Sequence, residues 1–332
     1  MSSNILDINS CNYNFKSFNK NTLLVMKKIH FFIAAMLFAV TACTLDKTDY
    51  EDEINTVVTE HFDYEEVVSI TKDEYLISVA ALNGTFYKGY NEIRLNITNT
   101  DTNENVNTSD VTFLPLITNY SGNSTSCPHQ YNLDYNTADD YYLGYAVFTE
   151  ESNDSQNWEL YITFTDNEEI HSVTQAITVE EQTNMNLNMT SFTADDGEQY
   201  FIALVAPQKP AIAENELVAG IYKYNQPTNE AGTFPDPTQF SYTEVTDYTI
   251  LLDPRMPEPS MGNHSSLNNV DLTQQDDGLY YGVVNYTMTG NWTLNFIFQN
   301  QFGETIKGTE VSTEFTPGIE GARSELHIDI LF

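Results

Sequence analysis

The sequence predicts an all-β fold: two tandem antiparallel β-sandwich domains behind a cleavable leader. Three observations predict it. A set of strand-like segments is written twice in the same order. Apolar residues inside those segments recur at every second position. No segment after residue 43 carries the apolar stripe of an amphipathic helix. Of 332 residues, 41% are hydrophobic and 13% aromatic, which suffices for a packed core and excludes a globally disordered chain. At about 150 residues per domain the length fits two domains.

Charge narrows the partners. The chain sets 13 Lys+Arg against 48 Asp+Glu, a net charge of −35. Phosphate contacts need clustered bases, so nucleic acid is excluded as a partner. The same deficit argues against electrostatic docking on anionic lipid. The cysteines, Cys11, Cys43 and Cys127, are too few for a disulfide framework.

The elements follow in order. Residues 1–25 are Asn- and Ser-rich without a period, and read as a non-translated or disordered extension before Met26. Residues 26–42 read as a lipoprotein signal peptide. Lys27 and Lys28 form a basic start, Ile29 to Val40 is nearly apolar, and Val40-Thr41-Ala42-Cys43 has the form of a bacterial lipobox. The apolar run is too short to cross a hydrocarbon core of about 30 Å. Cys43 is then the lipidated first residue, and its acyl chains attach the protein to a membrane, since stable anchoring takes more than one chain. Residues 43–62, with Asp46, Asp49, Glu51, Asp52 and Glu53, form an acidic flexible tether. The location implied is the bacterial outer membrane, facing the periplasm or the cell surface.

Residues 63–184 and 185–332 form the two sandwich units. Glu74 to Ala80 aligns with Gln199 to Val205, Asn91-Glu92-Ile93 with Asn215-Glu216-Leu217, and Ser109 to Leu114 with Thr246 to Leu251. Asp140 to Phe148 aligns with Gly278 to Tyr286, placing Gly144 against Gly282. Asn157-Trp158 aligns with Asn291-Trp292, so both tryptophans occupy one equivalent place. Trp158, Leu160, Ile162 and Phe164 share a face, as do Trp292, Leu294, Phe296 and Phe298, which is the alternation of a half-buried strand. A short turn at Thr289-Gly290 and a longer one at Glu150 to Gln156 predict hairpins to the preceding strands. Mid-strand Gly144 and Gly282 predict a bulge or a close neighbour. Residues 225–238 are a Pro-rich insertion loop, and Leu326 to Phe332 closes a sheet.

Little of the chain invites catalysis. There is no GxSxG, HExxH or Gly-rich phosphate loop, and no His pair at zinc-enzyme spacing. The expectation is a non-enzymatic protein. Cys127-Pro128-His129 reads either as a nucleophile with its base or as an inert thiol beside a loop histidine. The acid pairs Asp139-Asp140, Asp195-Asp196 and Asp276-Asp277 read as turn chemistry or as oxygen ligands off EF-hand spacing. One segment stands apart: Met256 to Ser266, placed in a loop between core strands. Met256, Met261 and His264 offer two thioethers and an imidazole, which suit Cu(I). The competing reading packs both Met side chains onto the sandwich as adaptable filler. Met288 is a fourth candidate ligand. It ends a strand about 34 Å from that strand's start, and only a loop folding back down the sheet brings it close.

The run Met256 to His264, Asn268-Asn269-Val270, Asp277 to Gly282 and Tyr286 to Trp292 resembles the YtkA-like domain, a FixH-related family. The resemblance covers about residues 215–310 and reaches the first unit through the internal repeat. It implies an immunoglobulin-like sandwich, membrane anchoring outside the cytoplasm, and in some members copper handling or oxidase maturation. It assigns Met256, Met261 and His264 to the family's Met-rich loop. The first unit departs from the pattern, with only Cys127 and His129 in its equivalent loop. The reading is therefore a lipid-anchored extracytoplasmic protein that holds copper and passes it to a metal-handling protein partner. The alternative is a surface structural or adhesion module, contacting glycans without metal.

Overall fold

The computed structural model describes residues 63–183, 185–225 and 237–331. The leader, Cys43 and the acidic tether lie outside the described residues, as does most of the Pro-rich insertion.

The chain is all-β. Its strands are β1 Tyr64–Lys72, β2 Tyr75–Leu82, β3 Phe86–Tyr87, β4 Gly89–Asn99, β5 Glu104–Asn105, β6 Thr112–Asn119, β7 Ser124–Ser126, β8 Asp134–Asn136, β9 Tyr141–Phe148, β10 Gln156–Asp166, β11 Glu169–Ile177 and β12 Val179–Glu180. There follow β13 Met189–Thr193, β14 Gln199–Ala206, β15 Glu214–Tyr224, β16 Tyr242–Glu244, β17 Thr249–Met256, β18 His264–Ser265, β19 Val270–Gln274, β20 Tyr280–Asn285, β21 Asn291–Gln299, β22 Thr305–Lys307 and β23 His327–Leu331. Two short 3-10 turns, Met185–Leu187 and Pro237–Phe240, complete the description.

The first sandwich stacks a sheet ordered β1-β2-β4-β9-β8 on one ordered β11-β10-β6-β7. The second repeats the order as β13-β14-β15-β20-β19 over β17-β21-β22, with β23 also on β21. In the second copy β19 pairs with both β20 and β17, so the two sheets join along one side. The C-terminal strand closes its sheet by pairing Trp292 with Ile330 and Leu294 with Ile328.

The matched residues do the same work in both copies. Asn91 accepts from Tyr87 N (3.0 Å) and donates to Tyr87 O and Gly89 O (2.6 and 2.9 Å). Asn215 repeats this on Ala211 N, Ala211 O and Ala213 O at 2.8, 2.9 and 2.7 Å. A buried amide thus satisfies the backbone of the turn that feeds the central strand. Tyr142 donates its hydroxyl to Val106 O (2.8 Å), and Tyr280 donates to Val245 O (2.9 Å). Trp158 and Trp292 are buried at 0% and 1% exposure. Their indoles donate to Glu150 O and Met288 O at 2.9 and 3.0 Å.

The expected hairpins into the tryptophan strands are arches instead. β9 pairs with β4 and β8, whereas β10 pairs with β6 and β11. Likewise β20 lies in one sheet of the second copy and β21 in the other. A period of two fixes which face is buried, not which strand is the neighbour. Here both strands turn apolar faces toward the same core and meet across it: Phe148 contacts Trp158 at 5.0 Å, and Tyr286 contacts Trp292 at 5.4 Å between ring centroids.

Each sandwich has its own core, one drawn from residues 70–179 and one from 194–330. A third cluster joins them. Val147, Tyr90 and Tyr145, on the outer face of the first sandwich's β4/β9 sheet, pack on Phe201, Ala203 and Tyr222 of β14 and β15. β14 and β15 are therefore buried on both faces, and their apolar runs Tyr200 to Leu204 and Leu217 to Tyr222 are continuous rather than alternating. Tyr145 donates to Glu244 Oε1 (3.1 Å) and Tyr242 to Ser126 O (2.6 Å) across the seam. Phe240 reaches further and packs on Leu114 and Leu116 of β6.

Gly144 and Gly282 sit where a side chain has no room. A Cβ on Gly144 would lie 2.3 Å from Leu133 Cδ2, the movable end of a side chain. On Gly282 it would lie 2.5 Å from Val270 O, opposite a register shift in β19. Backbone cannot retreat as a leucine methyl can. Gly282→Ala is expected to cost about 1–3 kcal/mol as overpacking, and Gly144→Ala less. Urea unfolding of both variants checks the order.

Candidate functional site

Met256 is the last residue of β17 and is 2% exposed, so it belongs to a core strand rather than to an exposed loop. It pairs directly with His264 on β18. On its other side β17 pairs with β21, with Arg255 opposite Thr293, which brings Met256 beside Trp292. Residues facing one another across antiparallel strands share a face. The order His264–Met256–Trp292 is therefore a row across three strands, and the His264 and Trp292 rings approach to 6.0 Å.

Met288 joins the same corner. β17 and β21 are antiparallel, so the end of β17 and the turn before β21 meet at one end of the sandwich. The distance from the start of β20 is measured from the wrong end, and no fold-back is needed. Met288 O accepts the Trp292 indole N–H. Met261 and Met288 are half-buried and pack against the core that includes Met256 and Trp292. Gly290, at φ +130°, makes the space: a Cβ there would lie 2.9 Å from Met256 Cε. His264 Nε2 is 2.8 Å from Thr287 Oγ1, and among the described residues its Nδ1 has no partner. Thr287 as a partner of His264, and Gly290 as more than a turn residue, escape a sequence reading because these roles exist only once the end of β17 and the turn before β21 meet.

The donor chemistry suits a soft ion: the corner brings Met256, Met288 and His264 together from segments on either side of β19 and β20, and the Met261 thioether packs against the same core. Among the described residues no three His, Cys, Asp or Glu side chains gather as ligands. A metal held here would rely on thioether sulfur.

The other candidates resolve differently. Cys127 is fully buried, and burial pushes its thiol up, away from the nucleophilic thiolate. His129 Nδ1 donates to Cys127 O at 2.7 Å, so the imidazole holds backbone instead of the thiol. The acid pairs serve turns. Tyr200 donates to Asp196 (2.7 Å), Tyr281 donates to Asp277 (2.6 Å), and Asp140 accepts from Tyr135 and from Asn105 (2.6 Å).

No family model matches the chain, and no curated protein matches it. Two solved structures are similar at low identity. A conserved domain protein from Bacillus anthracis is 11% identical over 83% of this chain and 93% of that one, with a TM-score of 0.28. FdeC, a broadly conserved Escherichia coli adhesin, is 10% identical over 70% of each chain, with a TM-score of 0.20. Neither similarity carries a functional argument at these scores.

His129 supplies a pH test. Burial lowers its pKa from 6.5 to about 4, outweighing the bond to Cys127 O. Its neutral form is the folded form, so unfolding takes up a proton between these values. The stability it contributes is complete above pH 6.5 and is lost as pH falls toward 4. His129→Asn is expected to flatten that slope in urea melts across this window.

Proposed function

We propose that the protein is a non-enzymatic, lipid-anchored, extracytoplasmic copper-handling module related to the YtkA-like family. The observation that carries this reading is the row His264–Met256–Trp292, with Met261 and Met288 half-buried against the same core. Copper is cargo here. The thioethers and the His264 imidazole would hold Cu(I), and the half-buried ligands would exchange first when a partner takes the ion. Cys43, outside the described residues, would supply the anchor through its lipid.

The rival reading, a surface module without metal, draws on the burial of Met256, which fills core space as any apolar side chain would. Titration separates the two. Substituting Leu for Met keeps volume and costs less than about 1.5 kcal/mol, so a Met256→Leu/Met261→Leu/His264→Ala variant is expected to fold. Under anaerobic, reducing conditions the parent should bind one Cu(I) tightly, and the variant should lose that step. Identical isotherms would remove the metal reading.

A further inference from the structure

We propose a second binding site, for a neutral saccharide, in the cleft where the two sandwiches meet. A groove of about 330 Å³ opens there, independent of the Met/His corner. That volume lies at the low end of the usual range for small-ligand sites, about 300–1,000 Å³. The first sandwich contributes the β6–β7 hairpin and the β9–β10 arch. The second contributes β13, β14 and the paired strands β15 and β16.

Three features define the chemistry. The first is an aromatic wall. Tyr224 and Tyr242 lie 5.3 Å apart, and Tyr242 meets Phe201 edge-on at 5.7 Å. The Tyr242 hydroxyl bond to Ser126 O fixes that wall across the seam. Tyr120, at the hairpin tip between the lining residues Asn119 and Asn123, is 87% exposed.

The second feature is uncommitted polar capacity. Asn123, Ser191 and Gln199 line the groove, and among the described residues their side chains make no hydrogen bond. Asn119 Oδ1, in contrast, is used up by Ser121 N and Asn123 N (3.0 and 3.1 Å) and shapes the hairpin. Amides and hydroxyls that both donate and accept match sugar hydroxyls, which do the same.

The third feature is charge. Among the described residues Glu150 is the one charged side chain lining the groove, and no Lys or Arg lines it. The chain carries a net −35. An anionic sugar, nucleotide or phosphate would enter against that field. A neutral pyranose offers hydroxyls at its rim and an apolar C–H face for the aromatic wall.

The experiment is calorimetric titration of the full-length protein with cellohexaose, xylohexaose, maltohexaose and mannohexaose, beside an uncharged peptide of similar length. At least one hexaose should bind saturably, with Kd of about 1 mM or tighter. Tyr224→Ala and Gln199→Ala should each weaken it about tenfold, and Met256→Leu should leave it unchanged. Gln199 is exposed, so its variant is expected to keep the parent's thermal midpoint and serves if Tyr224→Ala is unstable. Saturation by no hexaose, binding by the peptide alone, or hexaose binding indifferent to both groove variants would overturn the proposal.

Discussion

The indole of Trp292 is the fixed point of the second sandwich. It stands where the chain crosses from one sheet to the other, and its N–H ties the Met288 carbonyl to the strand that follows. Removing so large a buried side chain typically costs about 3–5 kcal/mol. More than stability rests on it. The arch needs a filled core beneath it, and the end of β17 needs the arch beside it. Only then do Met256, His264 and Met288 share one corner. Trp158 holds the equivalent place in the first sandwich through Glu150, but the segment after β6 there carries Cys127 and His129 instead of thioethers. One scaffold thus supports a soft-donor corner in one copy and a buried, proton-sensitive contact in the other.

The second constraint is the seam. β14 and β15 bury one face in their own core and the other against β4 and β9. A sandwich whose sheet is wanted on both sides does not stand free of its neighbour, and the described residues accordingly form one compact unit. At the seam Tyr145 and Tyr242 combine apolar rings with hydroxyls that find a carboxylate and a carbonyl partner. The cleft beside this seam exists because the two halves are held together.

Much of this was legible in the amino-acid sequence, for a definable reason. Asn91 and Asn215, Tyr142 and Tyr280, and the two tryptophans each act within one copy, so duplication writes their roles twice. Strand faces were legible because alternation reports burial. Strand partners were not, since a period of two is silent about pairing and does not tell an arch from a hairpin. Pro257 and Gly262 suggest irregular chain around Met256, yet the β17–β21 ladder continues to Arg255 and Thr293 and keeps Met256 in the strand. The place of Met288 depends on the antiparallel direction of β17 and β21, which a length along one strand does not carry. The seam left a trace in the unbroken apolar run Tyr200 to Val205, the mark of a strand covered on both faces. Long-range contacts such as Phe240 on β6 leave no local pattern.

X-ray absorption at the copper edge of the Cu(I)-loaded protein tests the central claim most directly, because it reads the atoms around the ion. The account predicts a first shell dominated by sulfur with a single imidazole contribution. A shell of nitrogen and oxygen without sulfur would contradict it, and would mean that the thioethers around Trp292 are core packing and nothing more.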